Sequence, residues 1–334
     1  MRGVWGKMGD SGSRGRSVEW PTFALLALCY GLFGTASYFA SDIGYLVAFP
    51  LMAVAIALHS SLQHEVLHGH PTRNAAINEA LVFIPLPSFH PYRRFKVLHL
   101  RHHHDERLTD PYDDPESYYV AAGDYRCVSP FMRVLLNVNN TLGGRLVVGP
   151  LLMILAFALS EFQLIRSGDR KVIDAWLRHL VGFILLAMWL QFVCAIPLWL
   201  YLAVPVYLGM SLIAVRTFCE HRWEHAVDGR TIIVENSRVL NWLFLNNNLH
   251  LVHHKLPALA WYKLPQAFRA RREEWVAMNN GYVFDSYIDI FRHWLLRRKE
   301  PVVHPAWRTG AAPEPIAAAT AIRGAAVPAA PPKE

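Results

Sequence analysis

The chain has 334 residues, 53% of them hydrophobic and only 18% charged, with a mean hydropathy of +0.18. Soluble domains carry about a quarter charged residues, so long apolar runs on this background point to a polytopic membrane protein and away from a soluble enzyme. The net charge of +7 and pI of about 9.3 do not mark a nucleic-acid binder, because the basic residues flank apolar runs, as membrane orientation requires.

Residues 1–20 are polar, Gly/Ser-rich and basic (Arg2, Lys7, Arg14, Arg16), which reads as a disordered cytoplasmic lead. Pro21–Leu58 contains a single charge, Asp42. About 20 helical residues cross a hydrocarbon core, so this stretch predicts a hairpin of two spans turning near Ser41-Asp42. The run is too long for a cleaved signal peptide and reads as an anchor. It delivers the chain into His59 and then His64-Glu65-Val66-Leu67-His68-Gly69-His70. Residues 77–89 are apolar but short and broken by Pro85 and Pro87, which suits an interfacial dip better than a span. Arg93, Arg94 and Lys96 follow. They suit an anionic head group or redox partner, or equally an interfacial basic belt.

His99-Leu100-Arg101-His102-His103-His104 is the densest stretch. On a helix His99 and His103 stack at i,i+4 with His102 beside them, so one turn aims three imidazoles at one point. A solvated His-rich face would look similar in isolation. However, His64 and His68 form a second i,i+4 pair, and His250, His253 and His254 repeat the H-x-x-H-H spacing. Histidine is the commonest metal ligand, and these pieces predict one metal centre assembled from separated parts of the chain.

Residues 146–165 are apolar around Glu161, and Leu180–Val215 carries no charge, with Pro197 near its middle. If all three clusters share a centre, the chain crosses an even number of times between them. Two spans are therefore assigned to 180–215, and 146–165 is treated as interfacial or half-buried; a full span there stays open if 180–215 crosses only once with a kink. Arg166, Arg170, Lys171 and Arg178 keep the intervening loop on the cytoplasmic side. From Arg216 the chain turns polar and aromatic, and His293 and His304 read as peripheral. Residues 305–334 form an Ala/Pro-rich tail that predicts disorder. The four cysteines (Cys29, Cys127, Cys194, Cys219) form no C-x-x-C and argue against a disulfide framework or a Cys-based metal site. The predicted fold is an all-α integral membrane protein. It has two transmembrane helical hairpins, about four spans in all, and a cytoplasmic helical cap bearing the histidines; residues 21–304 form the one folded domain.

His64-Glu65-x-x-His68 matches a zinc-protease motif in which the glutamate is a general base. The further histidines exceed what one zinc needs and suit two metals, leaving Glu65 to orient an imidazole. A metal transporter would place ionisable ligands inside its spans, yet both hairpins are nearly free of them.

The boxes H-x3-H (His64, His68), H-x2-H-H (His99, His102, His103) and H-x2-H-H (His250, His253, His254) resemble those of the membrane fatty acid desaturase superfamily. So do the flanking Asp110-Pro111, Asp114-Pro115, Leu256-Pro257 and Trp261–Pro265. The likeness covers roughly residues 45–275. It implies a histidine-ligated pair of iron ions, O2, a lipid substrate drawn from the bilayer, and electrons from a separate donor such as a ferredoxin or cytochrome. The plasma (inner) membrane is the expected location. It adds His221, just after the second hairpin, to the ligand set, with His225 as a second candidate. His59, His70 and His104 lie beside the boxes and read as supporting residues, and Asn246, four residues before His250, is placed to hold a metal-bound water. The reactions implied are desaturation of an acyl chain, lipid hydroxylation or carotenoid ketolation, with no catalytic side chain beyond the metal centre.

The even-crossing argument predicts that a cysteine introduced at Gly168 labels with impermeant reagents from the cytoplasmic side. Labelling from the opposite side alone would break it.

Overall fold

The computed structural model describes residues 18–307. Of the expected disordered segments 1–20 and 305–334, residues 1–17 and 308–334 lie outside the described residues, while Trp20 opens a helix and Pro305–Trp307 forms a 3-10 turn. Helix α1 (Trp20–Tyr38) and helix α2 (Tyr45–Leu67) form the first hairpin. The chain reverses through the short turn Ala40–Ile43 and Gly44, whose φ of +79° is cheap only for a residue without Cβ. Small and slender side chains line their contact: Cys29, Ala36, Ala48, Met52, Ala55 and Ile56 are almost fully buried. Such residues let helices pack closely where no hydrophobic effect drives association. α2 runs on past the apolar stretch, so that its last turn carries His64 and its cap is His68, until Gly69 at φ +97° ends it.

Helix α3 (Tyr92–His102) starts after the extended Pro91 and carries the central histidines on its last turn. Then come α4 (Gly149–Arg166), α5 (Arg170–Val193) and α6 (Leu198–Thr217). The second hairpin is thus present as α5 and α6, broken at Ala195–Pro197 where Pro197 caps the return. α5 begins earlier than the apolar run because the Asp169 side chain accepts from the backbone N–H groups of Lys171 and Val172. Gly209 of α6 lies so close to α2 that a Cβ there would come within 2.6 Å of Ile56. Helix α7 (His250–Lys255) carries the last histidines and stops before Pro257. Shorter helices such as Pro130–Asn139 and Tyr287–Trp294 complete the cap, and among the described residues the one sheet is a two-residue parallel pairing of Ile233–Val234 with Val283–Phe284.

Among the described residues five helices are long and apolar enough to cross a membrane, one more than the two hairpins supply. The extra one is α4. Its entry is tied to the flank of α6: the Tyr207 hydroxyl donates to the Val147 carbonyl and the Ser211 hydroxyl to that of Leu146 at 2.7 Å. Those anchors sit within about 15 Å of the α6 end that leads to His221, at 1.5 Å per residue. Towards its other end Glu161 is clasped by Arg94 of α3 (2.8–3.0 Å) and accepts from the Trp176 indole (3.0 Å). These contacts hold α4 against α3, α5 and α6, while its outer face exposes Leu151, Leu155 and Phe162; by length and composition it is a candidate span, not the interfacial segment expected from the sequence.

Arg93 and Arg94 are engaged inside the protein. Arg93 pairs with Glu79 (2.6 Å) and Asp174 (2.7 Å), and Arg94 with the buried Glu161. Towards the C-terminus the chain folds back as a strap. Lys299 donates to the carbonyls of Phe218 (3.0 Å) and His221, and Glu300 accepts from the Trp223 N–H at 3.1 Å. His304, peripheral in the sequence, is buried against the rings of Tyr119 and Trp223.

Glu161→Ala strands the Arg94 guanidinium and is expected to cost about 3–5 kcal/mol, read as lowered thermal stability in detergent. Replacing both partners by apolar residues should cost clearly less. Equal losses would refute the pairing.

Candidate metal centre

Four pieces of chain meet at the histidine end: the end of α2, the end of α3, the segment after α6 and α7. Nine histidines fall into two groups, within each of which the nearest ring nitrogens lie within 4.8 Å of one another. The first group is His64, His68, His99, His103 and His253; the second is His102, His221, His250 and His254. The expectation that one turn aims His99, His102 and His103 at a single point does not hold, because successive residues lie about 100° apart around a helix. His99 and His103 stay on one side of α3 while His102, between them, turns to the other, and His253 and His254 part in the same way on α7.

The nitrogens that converge are Nε2. His103 and His99 are 2.9 Å apart, His253 and His103 3.1 Å, and His102 and His250 each 3.0 Å from His221. Two nitrogens bound to one ion at about 2.1 Å and at right angles are separated by about 3.0 Å. The Nε2 atoms of His64 and His68 are buried without a hydrogen-bond partner among the described residues, a state that costs free energy unless an ion takes the lone pair. The donor set therefore fits two ions that favour imidazole.

Behind the rings, the Nδ1 atoms are held. His99 Nδ1 donates to Glu116 at 2.7 Å, His102 Nδ1 to Asp114 at 2.7 Å, and His250 Nδ1 to the Asn247 amide oxygen at 3.0 Å. Asn247 in turn donates to Glu220 at 3.0 Å, and Glu220 is paired with Arg216 at 2.8 Å. Such partners fix the tautomer and aim Nε2 at the metal. Asp114 is itself positioned by the N–H of Thr109 at 2.8 Å.

Burial, followed by neighbouring imidazoles, drives His221, His250, His253 and His254 well below the ordinary histidine pKa. Burial also lowers His68 and His103. All six are held neutral, the form that binds metal. His102 differs: burial lowers it, but Asp114 and Glu116 outweigh that and raise it to about 9. An ion held by the second group would take the place of that proton on Nε2, with Asp114 holding the one on Nδ1.

The other sequence candidates fall outside both groups. Glu65 turns away, accepts from the Trp261 N–H at 2.9 Å and faces His70 at 3.8 Å, which itself meets Glu19 at 2.8 Å. That placement does not suit a protease base acting on a metal-bound water. Asn246 sits at φ +56°, which sends its amide to the Trp261 carbonyl at 3.0 Å and leaves Asn247 to meet His250. His225 is exposed beside Trp223, and His104 is exposed at an opening lined by His103, Glu106 and Arg107. His59 bonds the Tyr30 hydroxyl at 3.0 Å. Glu116, Glu220 and Asn247 carry roles the spacing of the boxes did not single out. The available signal was their position: acids and amides directly after a box or directly before a ligand-type histidine.

The fatty acid desaturase family model matches residues 16–286. No individual curated protein matches the chain.

Asp114→Ala should lower divalent-metal affinity by roughly 10–100-fold, measured by competition with a chromophoric chelator. Asp114→Asn keeps an acceptor and should fall less. Unchanged affinity in both variants would show that His102 needs no partner.

Proposed function

Because the chain belongs to the fatty acid desaturase family, we propose that it is a membrane di-iron oxidoreductase that uses O2 to introduce a double bond into a long acyl chain. The observation that carries this reading is the sorting of the three boxes and His221 into two groups of converging Nε2 atoms. His64, His68, His99, His103 and His253 would hold one iron and His102, His221, His250 and His254 the other. Iron bound there would supply the O2 activation and oxidising power needed to take hydrogen from an unactivated methylene, which no side chain provides.

The protein's own contribution is placement and insulation. Asp114, Glu116 and Asn247 fix the tautomers of His102, His99 and His250. Burial of most of the imidazoles excludes bulk water from the reacting region. The apolar faces of the bundle give a lipid substrate direct access from the bilayer, and an outside protein such as a ferredoxin or cytochrome supplies the electrons. The basic residues at 166–178 and 269–299 favour the cytoplasmic side of the plasma (inner) membrane for the histidine end.

The second reading, lipid hydroxylation or carotenoid ketolation by the same centre, is favoured by the repeated Asp-Pro at 110–111 and 114–115. The two outcomes diverge after the first hydrogen is lost, on whether a neighbouring hydrogen leaves before oxygen is transferred. Sub-ångström placement of the chain governs that step.

Fresh protein should contain close to two irons per chain, and His→Ala at any of the nine positions should remove iron together with activity. One zinc per chain would sink the di-iron reading. A fatty acid deuterated at adjacent carbons, supplied under labelled O2, should lose two hydrogens and gain no label. Label retained in a lipid or a carotenoid ring would move the assignment to oxygen insertion.

A further inference from the structure

Helix Pro130–Asn139 lies outside the five candidate spans and still shows apolar side chains to its surroundings. It starts cleanly, because Pro130 suits a first helical position and the Ser129 hydroxyl accepts from the Met132 N–H at 3.2 Å. Phe131, Val134 and Val138 follow at i, i+3 and i+7 and so form one stripe. The stripe is open: Phe131 is 72% exposed and Val134 60%.

The end of this helix meets the C-terminal strap. The Lys299 N–H donates to the Asn140 carbonyl at 2.9 Å, and the Arg298 guanidinium to the Asn137 amide oxygen at 2.6 Å. The Gly143 N–H donates to the Leu295 carbonyl at 2.8 Å, an approach that leaves no room for a Cβ. Leu295 and the 85% exposed Leu296 are thereby brought beside the helix end. The chain then runs through Leu142–Val147, fastened to α6 at Leu146 and Val147, and enters α4 at Gly149. Both α4 and α6 are candidate spans, and the exposed Val147 and Leu151 continue the apolar surface onto α4.

The charge around this patch has one sign. Residues 125–147 hold Arg126, Arg133 and Arg145 and no acid, and residues 290–299 hold Arg292, Arg297, Arg298 and Lys299 and no acid. Arg133 and Arg145 turn to the carbonyls of Val128 and Asn139, and Lys299 to that of Phe218. Arg126, Arg292 and Arg297 are exposed, and Arg292 reaches Asp289 only at 3.7 Å. An apolar stripe flanked by free cations, continuous with the lipid-facing side of a span, matches a helix lying in the plane of an anionic membrane surface.

We propose that helix Pro130–Asn139 and the turn at 295–298 form a seat for anionic phospholipid. Phe131, Val134, Val138 and Leu296 enter the interfacial layer, and Arg126, Arg292 and Arg297 pair with lipid phosphates. The seat does not depend on which metals the histidines hold.

The test uses the full chain in lipid nanodiscs, with Cys127→Ser as background, the other three cysteines being buried. Spin labels are placed at Val134→Cys and Leu296→Cys. Leu155→Cys on the outer face of α4 marks lipid, and Glu273→Cys on the exposed side of Arg272–Met278 marks water. Collision with O2, which concentrates in lipid, should exceed collision with a nickel chelate at Val134 and Leu296, as at Leu155. Spin-labelled phosphatidylglycerol should be held at the protein in preference to phosphatidylcholine. The triple variant Arg126→Gln, Arg292→Gln, Arg297→Gln should weaken that preference. Should it fail to accumulate, wild type at high salt reads the same loss. Collision at Val134 and Leu296 matching that at Glu273 would overturn the proposal. So would shielding from both reagents, which would put a protein on the stripe, or a lipid preference unchanged by the substitutions and by salt.

Discussion

Everything at the histidine end depends on crowding imidazoles, most of which burial holds neutral, with His102 beside Asp114 and Glu116 the exception. A proton on one Nε2 sits about 3 Å from another, and in a buried setting that repulsion falls on several neighbours at once. The chain holds Nδ1 of His102, His99 and His250 with Asp114, Glu116 and Asn247, which orients those rings and aims their Nε2 atoms at the shared site. Burial disfavours the charged form. The rest of the molecule serves this constraint. Helix α2 has to overrun its apolar run by a turn, α3 has to end at its histidines, and the segment after α6 has to lie flat between them.

Much of this was legible in the sequence because it is local. Run length set the two hairpins, and the boxes marked the ligand-type histidines; that His102 leaves His99 and His103 for the other group was not read from their spacing. The nine converging histidines are those that the boxes and the residue after the second hairpin picked out. What was not legible depends on residues far apart in the chain. Glu161 reads as an oddity in an apolar run until Arg94 and Trp176 are seen around it. Arg93 and Arg94 look available for a partner until Glu79, Asp174 and Glu161 claim them. Asn246 and Asn247 are indistinguishable by spacing, and a left-handed backbone at Asn246 decides which amide reaches His250.

The placement of α4 has the same origin. By composition it equals a span, and its fastening to Tyr207 and Ser211 at one end and to Arg94 near the other joins residues far apart in the chain.

The C-terminal strap has a consequence for assembly. The histidines of both groups have been made once the chain has reached residue 254, yet the ammonium that steadies the His221 backbone is at position 299. A nascent chain that already owns every imidazole still lacks the clamp on one of them. The first group draws on α2, α3 and α7 alone and can close earlier. The backbone of His221 in the second group gains its lysine partner only when the C-terminal strap has been made and has folded back.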